Sequence, residues 1–316
     1  MVEPLTLSVV TPSYNTGKYL GAAIASVLEQ DWPGVDYVVM DGGSTDESLD
    51  VLRQFGSRIR WVSEKDKGQS NAINRGFVRT RGDVLCWLNS DDTFAPGAFR
   101  AAMEFFQAHP DVAMVYGDAD YITPDGKPLA PCVHIEPYSA HRLFHYSDFI
   151  VQPATFFRRS AFEAVGGIDE SIHWAMDYDL WLRIAAGGFK IAYLPALLAH
   201  FRWLKDNKTA TGGFGRLNEI HRILGKHGLG EPAYIRLERV YLHLQQAIKS
   251  IRKAKPGGAA ASSFSALGSL MVSPRAMASM LMPQTWKIIW TGRVLRARSE
   301  RREREGSAQC WESAER

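Results

Sequence analysis

Short apolar runs alternate with amphipathic segments through the first 120 residues. The apolar, β-branched runs predict buried strands at residues 7–11, 36–40, 58–63, 83–89 and 112–117. Apolar positions at helical spacing, such as Leu20, Ile24 and Val27, predict helices at residues 18–30, 44–55, 68–80 and 96–109. This alternation predicts an α/β fold with a doubly wound, mainly parallel sheet flanked by helices.

The second half of the chain is less regular. Residues 124–150 are rich in Pro, His and Tyr and lack a clear period, so no element is predicted there. Beyond them the pattern predicts strands at 154–158 and 189–194 and helices at 160–165, from Asp177, at 213–227 and at 232–253. Ser44 and Glu47 have the spacing of a capping box at the start of the second helix.

Polar loops follow four of the predicted strands. They are TPSYN (11–15), DGGSTD (41–46), EKDKGQSN (64–71) and NSDD (89–92). Ligands of doubly wound sheets bind outside the carboxyl ends of the strands, so these loops should share one site. Asp91 and Asp92 repel each other unless a cation or hydrogen-bond donors lie nearby. A solvated helix start remains the alternative for this pair.

Composition narrows the class of protein. A chain of 316 residues, with 46% hydrophobic and 22% charged residues, suits one globular catalytic domain with an appendage. The net charge of +3 does not favour nucleic acid as a partner. Three scattered cysteines without a CxxC pair indicate no zinc site and a reduced, cytoplasmic setting. Neither a signal peptide nor a membrane-spanning run is expected from the pattern.

The four loops, together with MDYDLW at 176–181, resemble glycosyltransferase family 2, whose members have the GT-A fold and invert the anomeric centre. The likeness covers residues 6–204 in the expected order. It implies a catalytic domain at 1–204, with a nucleotide-sugar half at 6–123 and an acceptor half at 124–204. A helical extension (205–254) and a linker with a basic tail (255–316) would follow.

The resemblance also implies a donor site. Nucleotide-binding residues carried over from the family motifs are Thr11, Pro12, Tyr14, Asp41, Asp66, Gly68, Asn71, Asn89, Ser90 and Asp91. For Asp41 the alternative is an Asx turn before Gly42 and Gly43. The NSDD segment resembles the family's DXD-type motif, with Asn89 where the first acid is commonest.

The same likeness to the DXD-type motif implies a site for a divalent cation. Asp91 and Asp92 would hold Mn²⁺ or Mg²⁺, because hard cations prefer oxygen ligands, and the cation would neutralise the departing diphosphate. His200 would join them as a late histidine of the family. The alternatives are that His200 is a structural histidine and that Arg202 neutralises the diphosphate instead.

Asp177 is carried over as the catalytic base of the family's acidic pair, in which Met176 replaces the usual Glu. Asp179 is the rival, and two residues along a helix turn about 200°, so the two carboxylates cannot face the same cleft. An N-cap role is the alternative for Asp177. Residues 152–157 and 166–177 would line the acceptor pocket, with Trp174 as a sugar platform or as core.

The predicted activity is metal-dependent transfer of one sugar from a nucleotide-sugar, with UDP favoured, to a saccharide or lipid-linked saccharide acceptor of surface polysaccharide synthesis. Ala199 stands where processive members carry the Gln of QxxRW, which favours single transfer. The alternatives are an inactive nucleotide- or sugar-binding module and a sugar-phosphate nucleotidyltransferase. The latter is disfavoured because TPSYNTG lacks its basic, glycine-rich phosphate loop.

The C-terminal tail mixes apolar and basic residues. Residues 264–298 contain Trp286, Trp290 and several Met and Arg residues, a mixture that suits peripheral attachment to the anionic inner face of a membrane. Helices packed on the catalytic domain or on a second subunit are the alternative. A homo-oligomer is therefore left open.

Overall fold

A computed structural model of the chain describes residues 5–204 and 207–252. Its strands are β1 (Leu7–Ser13), β2 (Asp36–Asp41), β3 (Arg60–Ser63), β4 (Val84–Trp87), β5 (Thr93–Phe94), β6 (Val112–Ile122), β7 (Pro128–Pro131), β8 (Thr155–Arg158) and β9 (Lys190–Arg202). The helices of the first half are α1 (Gly17–Leu28), α2 (Ser48–Phe55), α3 (Gln69–Val78), α4 (Ala98–Ala108) and α5 (Ala140–His145). Those of the second half are α6 (Arg159–Ala164), α7 (Met176–Ala186), α8 (Lys208–Thr211), α9 (Gly213–Lys226) and α10 (Ala233–Arg252).

The strands form one sheet in the order β3-β2-β1-β4-β8-β6-β9-β5, with β7 paired to β6. The first half, β3-β2-β1-β4, is parallel, as the βαβ pattern predicts. The second half is mixed: β8 runs antiparallel to both β4 and β6, whereas β6 and β9 are parallel. The sheet is therefore less uniformly parallel than the sequence pattern suggested.

Helices cover both faces of the sheet, and the strand residues alternate between two apolar layers. One layer packs the α1, α2 and α4 side chains against residues such as Val9 and Val39. The other packs α3, α7 and α9 against residues such as Val10 and Trp87, with Trp87 stacked on Trp181 at 5.8 Å between ring centroids. Both layers position the strand ends that carry the polar loops.

Several predicted elements differ from the observed ones. The prediction of a capping box at Ser44 and Glu47 is wrong. The helix α2 begins at Ser48 without a side-chain cap bond, and the Ser44 hydroxyl donates to Asp41 instead. β9 runs to Arg202, eight residues beyond its predicted end, and carries the chain along β6. The stretch 124–150, for which no element was predicted, contains β7 and α5.

The helical extension does not form a separate layer. Five of its buried side chains belong to one apolar cluster with Trp181 and Trp87, and they are Leu217, Ile220, Ile223, Leu224 and Ile235. Across the described ranges, no helix has both the length and the apolar character needed to cross a membrane. The linker at 255–263 and the tail at 264–298 lie outside the described residues.

Candidate functional site

The polar loops meet at one edge of the sheet, as predicted. In the strand register Ser13 lies beside Asp41, and Asp41 lies beside Ser63, so β1, β2 and β3 end level with one another. A cleft of about 840 Å³ opens there. Its lining comprises Pro12, Ser13, Tyr14, Thr16, Gly42, Gly43, Lys65, Asp66, Gly68, Gln69, Ala72, Asn89, Ser90, Asp91, Asp92, His173, Phe201, Asn207 and Lys208. All four loops contribute to this set.

The first two loops hold each other through backbone N–H groups. The Asn15 N–H donates to Ser44 Oγ at 2.8 Å, and the Thr45 N–H donates to Asn15 Oδ1 at 2.8 Å. Asn15 has a φ of 52°, a left-handed conformation that Asn tolerates better than most residues. The turn leaves the Tyr14 ring 62% exposed at the cleft, where an aromatic face can stack on a base.

Thr11 and Asp41 are buried behind the cleft wall and do not line it. Thr11 Oγ1 lies 3.0 Å from the Tyr37 hydroxyl. The Asp41 carboxylate accepts from the N–H groups of Gly43 and Ser44 and from the hydroxyls of Ser44 and Ser63. These bonds build the Asx-type turn named as the alternative for Asp41, and they fix the glycines that form the cleft floor.

Asp66 and Gly68 line the cleft. Asp66 Oδ1 accepts the Gly68 N–H at 2.7 Å, and Gly68 precedes α3 with a φ of 108°. A Cβ on Gly42 would lie only 2.8 Å from Asp66 Oδ2, so the glycine allows the loops to approach. Asn71 points elsewhere: its amide donates to Glu170 Oε2 at 3.0 Å and it is not among the lining residues.

Asn89 joins an amide network at the end of β4. Its Nδ2 donates to Gln152 Oε1 at 3.0 Å and to Asp92 Oδ2 at 3.4 Å, and its Oδ1 accepts from Gln69 Nε2 at 2.7 Å. Gln69 in turn accepts from Lys208 Nζ at 2.9 Å. An amide can donate to a neighbouring carboxylate and an ionised acid cannot, so Asn89 suits this network.

Asp92 is buried, with 1% of its surface exposed, directly beside Asp91. Burial raises the pKa of Asp92 well above its usual range, and the Asp91 charge raises it further. Asp92 Oδ1 accepts the Arg202 N–H at 2.9 Å. The Arg202 guanidinium donates to the backbone carbonyls of Asp91, Thr123 and Pro124, so it braces the acid loop and is not directed at a diphosphate.

The carboxylate pair fits a divalent cation by its donor type, because two oxygen ligands of like charge are stabilised by a hard cation. His200 does not line the cleft. It lies beside Thr93 in the β5–β9 pairing, with Nδ1 buried and lacking a hydrogen-bond partner in the structure. Among the described residues, no three His, Cys, Asp or Glu side chains group closely enough to hold a metal. The predicted three-residue set of Asp91, Asp92 and His200 is therefore not formed in this structure.

Asp177 lies in the first turn of α7 and is not among the residues that line the cleft, but it interacts electrostatically with Lys208, which does line it. Asp177 is half-buried, and burial raises the pKa of its carboxyl, an effect that the charges of Lys208 and Arg216 partly offset. Asp148 interacts with it electrostatically: burial raises the pKa of Asp148 well above its usual range, and the Asp177 charge adds to this. Asp179 instead pairs with Arg183 at 2.7 Å, as the 200° separation requires.

Sequence reasoning missed several residues of this region. Gln69 and His173 lie in segments that were predicted to contribute but were not named individually, and Lys208 was not predicted; all three line the cleft. Asp148, which interacts electrostatically with Asp177, was not predicted either. Lys208 interacts electrostatically with Asp177, and burial lowers the pKa of its ammonium group. A lysine soon after the last strand was a usable signal, whereas Asp148 lay in a segment without any period. Trp174 is packed against Gly212 and Gly215 and is half-buried.

The α/β fold and the cleft at its carboxyl edge define a GT-A enzyme. Residues 8–166, about half of the chain, match the family model described as Glycosyl transferase family 2. The chain therefore belongs to glycosyltransferase family 2, in agreement with the motifs in its loops.

A sequence relative and two solved structures extend this likeness. The chain is 30% identical over 188 residues to chondroitin synthase from Escherichia coli. The aligned region covers 58% of this chain but only 27% of that protein. Residues 1–349 of S. aureus TarS, in complex with UDP-GlcNAc, align with a TM-score of 0.52 at 13% identity, covering 83% of this chain and 91% of that segment. The mannosyltransferase PcManGT from Pyrobaculum calidifontis, in complex with GDP-Man and Mn²⁺, aligns with a TM-score of 0.56 at 19% identity, covering 93% and 85%. At these identities the structures establish the fold.

Proposed function

We propose that this protein transfers one sugar from a nucleotide-sugar, with UDP as the favoured nucleotide, to an acceptor hydroxyl with inversion. The observation that carries the proposal is the convergence of Tyr14, Asp66 and the Asp91–Asp92 pair on one cleft. Asp177 is linked to this cleft through its electrostatic interaction with Lys208. Tyr14 would stack on the base, and Asp66 would accept from a base N–H. Thr11 and Asp41 would support these contacts from behind, and Asn71 from the start of α3.

Asp91 and Asp92 would hold Mn²⁺ or Mg²⁺. Bound there, the cation would supply positive charge to the departing diphosphate. Lys208 would add a second positive charge, since this residue lines the same cleft. Ser90 and Asn89 would orient the donor, with Ser90 Oγ held by the Thr16 hydroxyl at 2.8 Å.

Asp177 would remove the proton of the acceptor hydroxyl. A carboxyl with a raised pKa is a stronger base than one with an ordinary pKa, and from the first turn of α7 Asp177 would act on the acceptor side of the cleft. Asp148 would hold the proton that the pair shares, because burial and the Asp177 charge both raise its pKa. Asp177 would then carry the negative charge of the pair.

Replacing Asp177 with Asn should abolish transfer and leave the affinity for UDP nearly unchanged. The amide keeps the size of the side chain but cannot take a proton. Turnover is measured as UDP released from UDP-sugars with Mn²⁺ and saccharide acceptors, and affinity by calorimetry with UDP. Asp179→Asn is the matched control: it should lower the melting temperature, because Arg183 loses its buried partner, while folded protein keeps its turnover.

Persistent transfer by Asp177→Asn would remove Asp177 as the base. If the unaltered protein binds UDP yet releases none from any donor, an inactive nucleotide-binding module becomes the better description.

The acceptor would be a saccharide or lipid-linked saccharide of surface polysaccharide synthesis, and the basic, apolar tail would attach the enzyme to the inner face of the membrane. The polysaccharide synthase among the relatives supports this acceptor class. Flotation with anionic liposomes tests the attachment: equal binding by the full chain and by a chain ending near residue 255 would rule out the tail as the anchor.

A further inference from the structure

One face of α9 packs along the segment that leads into Asp177. We call residues 169–175 the acceptor loop, because they lie within the segment predicted to line the acceptor pocket and lead directly into α7. Residues of α9 and of the position just before it contact this loop at a spacing of three or four: they are Gly212, Gly215, Glu219, Arg222 and Lys226. That spacing places them on one side of a helix. The apolar side chains Leu217, Ile220 and Leu224 hold α9 in the core.

Glu219 makes the densest of these contacts. Its carboxylate is 7% exposed and accepts the backbone N–H groups of His173, Trp174 and Ala175 at 2.8, 2.5 and 2.9 Å. A buried carboxylate is costly unless it is paired or hydrogen-bonded, and three N–H donors meet that need. The negative charge also faces the positive end of the α7 dipole. Two residues after the last of these donors comes Asp177.

The other contacts fix the loop on both sides of Glu219. A Cβ on Gly215 would lie 2.7 Å from Trp174 Cη2, so the indole is pressed against the glycine backbone of α9. Lys226 Nζ binds Asp169 Oδ2 at 2.8 Å at the far end of the loop. The acceptor loop is thus held by a helix that comes about 40 residues later in the chain.

We infer that α9 is a clamp for the acceptor loop and that Glu219 is a positioning residue, which sets Asp177 for proton removal without contacting substrate. This inference rests on the proposed function. It assigns the helical extension a part in the reaction, beyond its contribution to the core.

The test compares Glu219→Gln with Glu231→Gln in the full chain. The amide introduced by Glu219→Gln keeps one acceptor oxygen but brings an NH₂ group against N–H donors, so the loop loses at least one bond. Glu231 is a matched control: it belongs to the same extension and pairs with Arg239 at 2.7 Å, and its more distant partners, Arg236 and the α9 residue His221, are not among the residues that contact the acceptor loop. The same substitution there removes a carboxylate without disturbing the clamp.

Two readouts are needed. Hydrogen exchange of the peptide spanning 169–177 should accelerate in Glu219→Gln and stay unchanged in Glu231→Gln. Turnover of UDP-GlcNAc with Mn²⁺ should fall about 10- to 100-fold in Glu219→Gln, while the affinity for UDP changes less than about twofold, because a small displacement of a reacting group is costly in rate.

A Glu219→Gln protein with normal exchange and normal turnover would overturn the inference. So would a loss of turnover matched by an equal loss of UDP affinity, since this would indicate a general structural defect. If the unaltered protein shows no turnover with UDP-GlcNAc or any other UDP-sugar, that result counts against the proposed function, and hydrogen exchange still decides whether α9 clamps the loop.

Discussion

At the scale of single residues, adjacent carboxyl groups distinguish this site. Asp91 with Asp92, and Asp148 with Asp177, are two pairs in which burial and a like charge raise a pKa. Such pairs cost stability in the absence of a cation or a shared proton. The first pair lines the cleft, and Asp177 of the second pair interacts electrostatically with the cleft residue Lys208, which supports the binding and catalytic roles proposed for them.

Asp148→Asn should stabilise the protein at neutral and alkaline pH. The folded-state pKa of Asp148 lies above its ordinary value of 3.8, so the native state holds a proton that the unfolded chain releases, and stability falls as pH rises through that window. Asn cannot ionise and avoids this loss. Urea unfolding at pH 4 and pH 8 should show a gain that is small at pH 4 and larger at pH 8.

Asp111→Asn is a control for which the change in stability should depend on pH in the opposite direction. Asp111 is bonded to Lys190 at 2.6 Å, which lowers the pKa of its carboxyl, so its contribution is present at pH 8 and lost on acidification. A gain for Asp148→Asn that did not depend on pH would contradict the assignment of Asp148 as the proton-holding partner.

At the scale of elements, three segments distant in sequence are joined across the cleft. Lys208 of α8 donates to Gln69 of α3, and Gln69 donates to Asn89 at the end of β4. These bonds hold the Lys208 ammonium two hydrogen bonds away from Asn89, in the loop that also contains the acidic pair. Each of these residues lines the cleft, so the arrangement suits an anionic ligand.

Lys208→Gln should weaken the binding of UDP about tenfold and leave the binding of uridine unchanged, since a charged hydrogen bond to phosphate contributes on the order of 1.4 kcal/mol or more. Calorimetry with the two ligands measures the difference. Lys127→Gln removes the same charge from an exposed site, where Lys127 pairs with Asp125, and should affect neither ligand. An equal loss for UDP and uridine would show that Lys208 does not act on the diphosphate.

At the scale of the whole molecule, the two halves and the extension share their core. Trp87 of β4, Trp181 of α7 and Leu217 of α9 belong to one apolar cluster. Residues on both sides of the boundary predicted at residue 204 therefore pack into the same hydrophobic core. The extension contributes both to stability and to the position of the acceptor loop.

A chain ending at residue 204 should fail to fold cooperatively, whereas one ending at residue 254 should unfold in a single transition. The first lacks five buried Leu and Ile side chains of α9 and α10, whose burial contributes on the order of 10 kcal/mol, comparable with the total stability of an ordinary domain. Circular dichroism during thermal unfolding makes the comparison. A cooperative transition in the shorter chain would mean that residues 5–204 are self-sufficient.

The sequence by itself determined the βαβ half of the fold and the loops at the carboxyl edge, because both depend on local apolar period and on turn residues. It also identified the class of enzyme, since Asp66, Asn89 and the acidic pair lie within short motifs. Tertiary structure decided that Asp148 meets Asp177, that Lys208 reaches the cleft, and that Glu219 holds the acceptor loop. These contacts join residues from about 30 to more than 100 positions apart, through packing that no local pattern encodes.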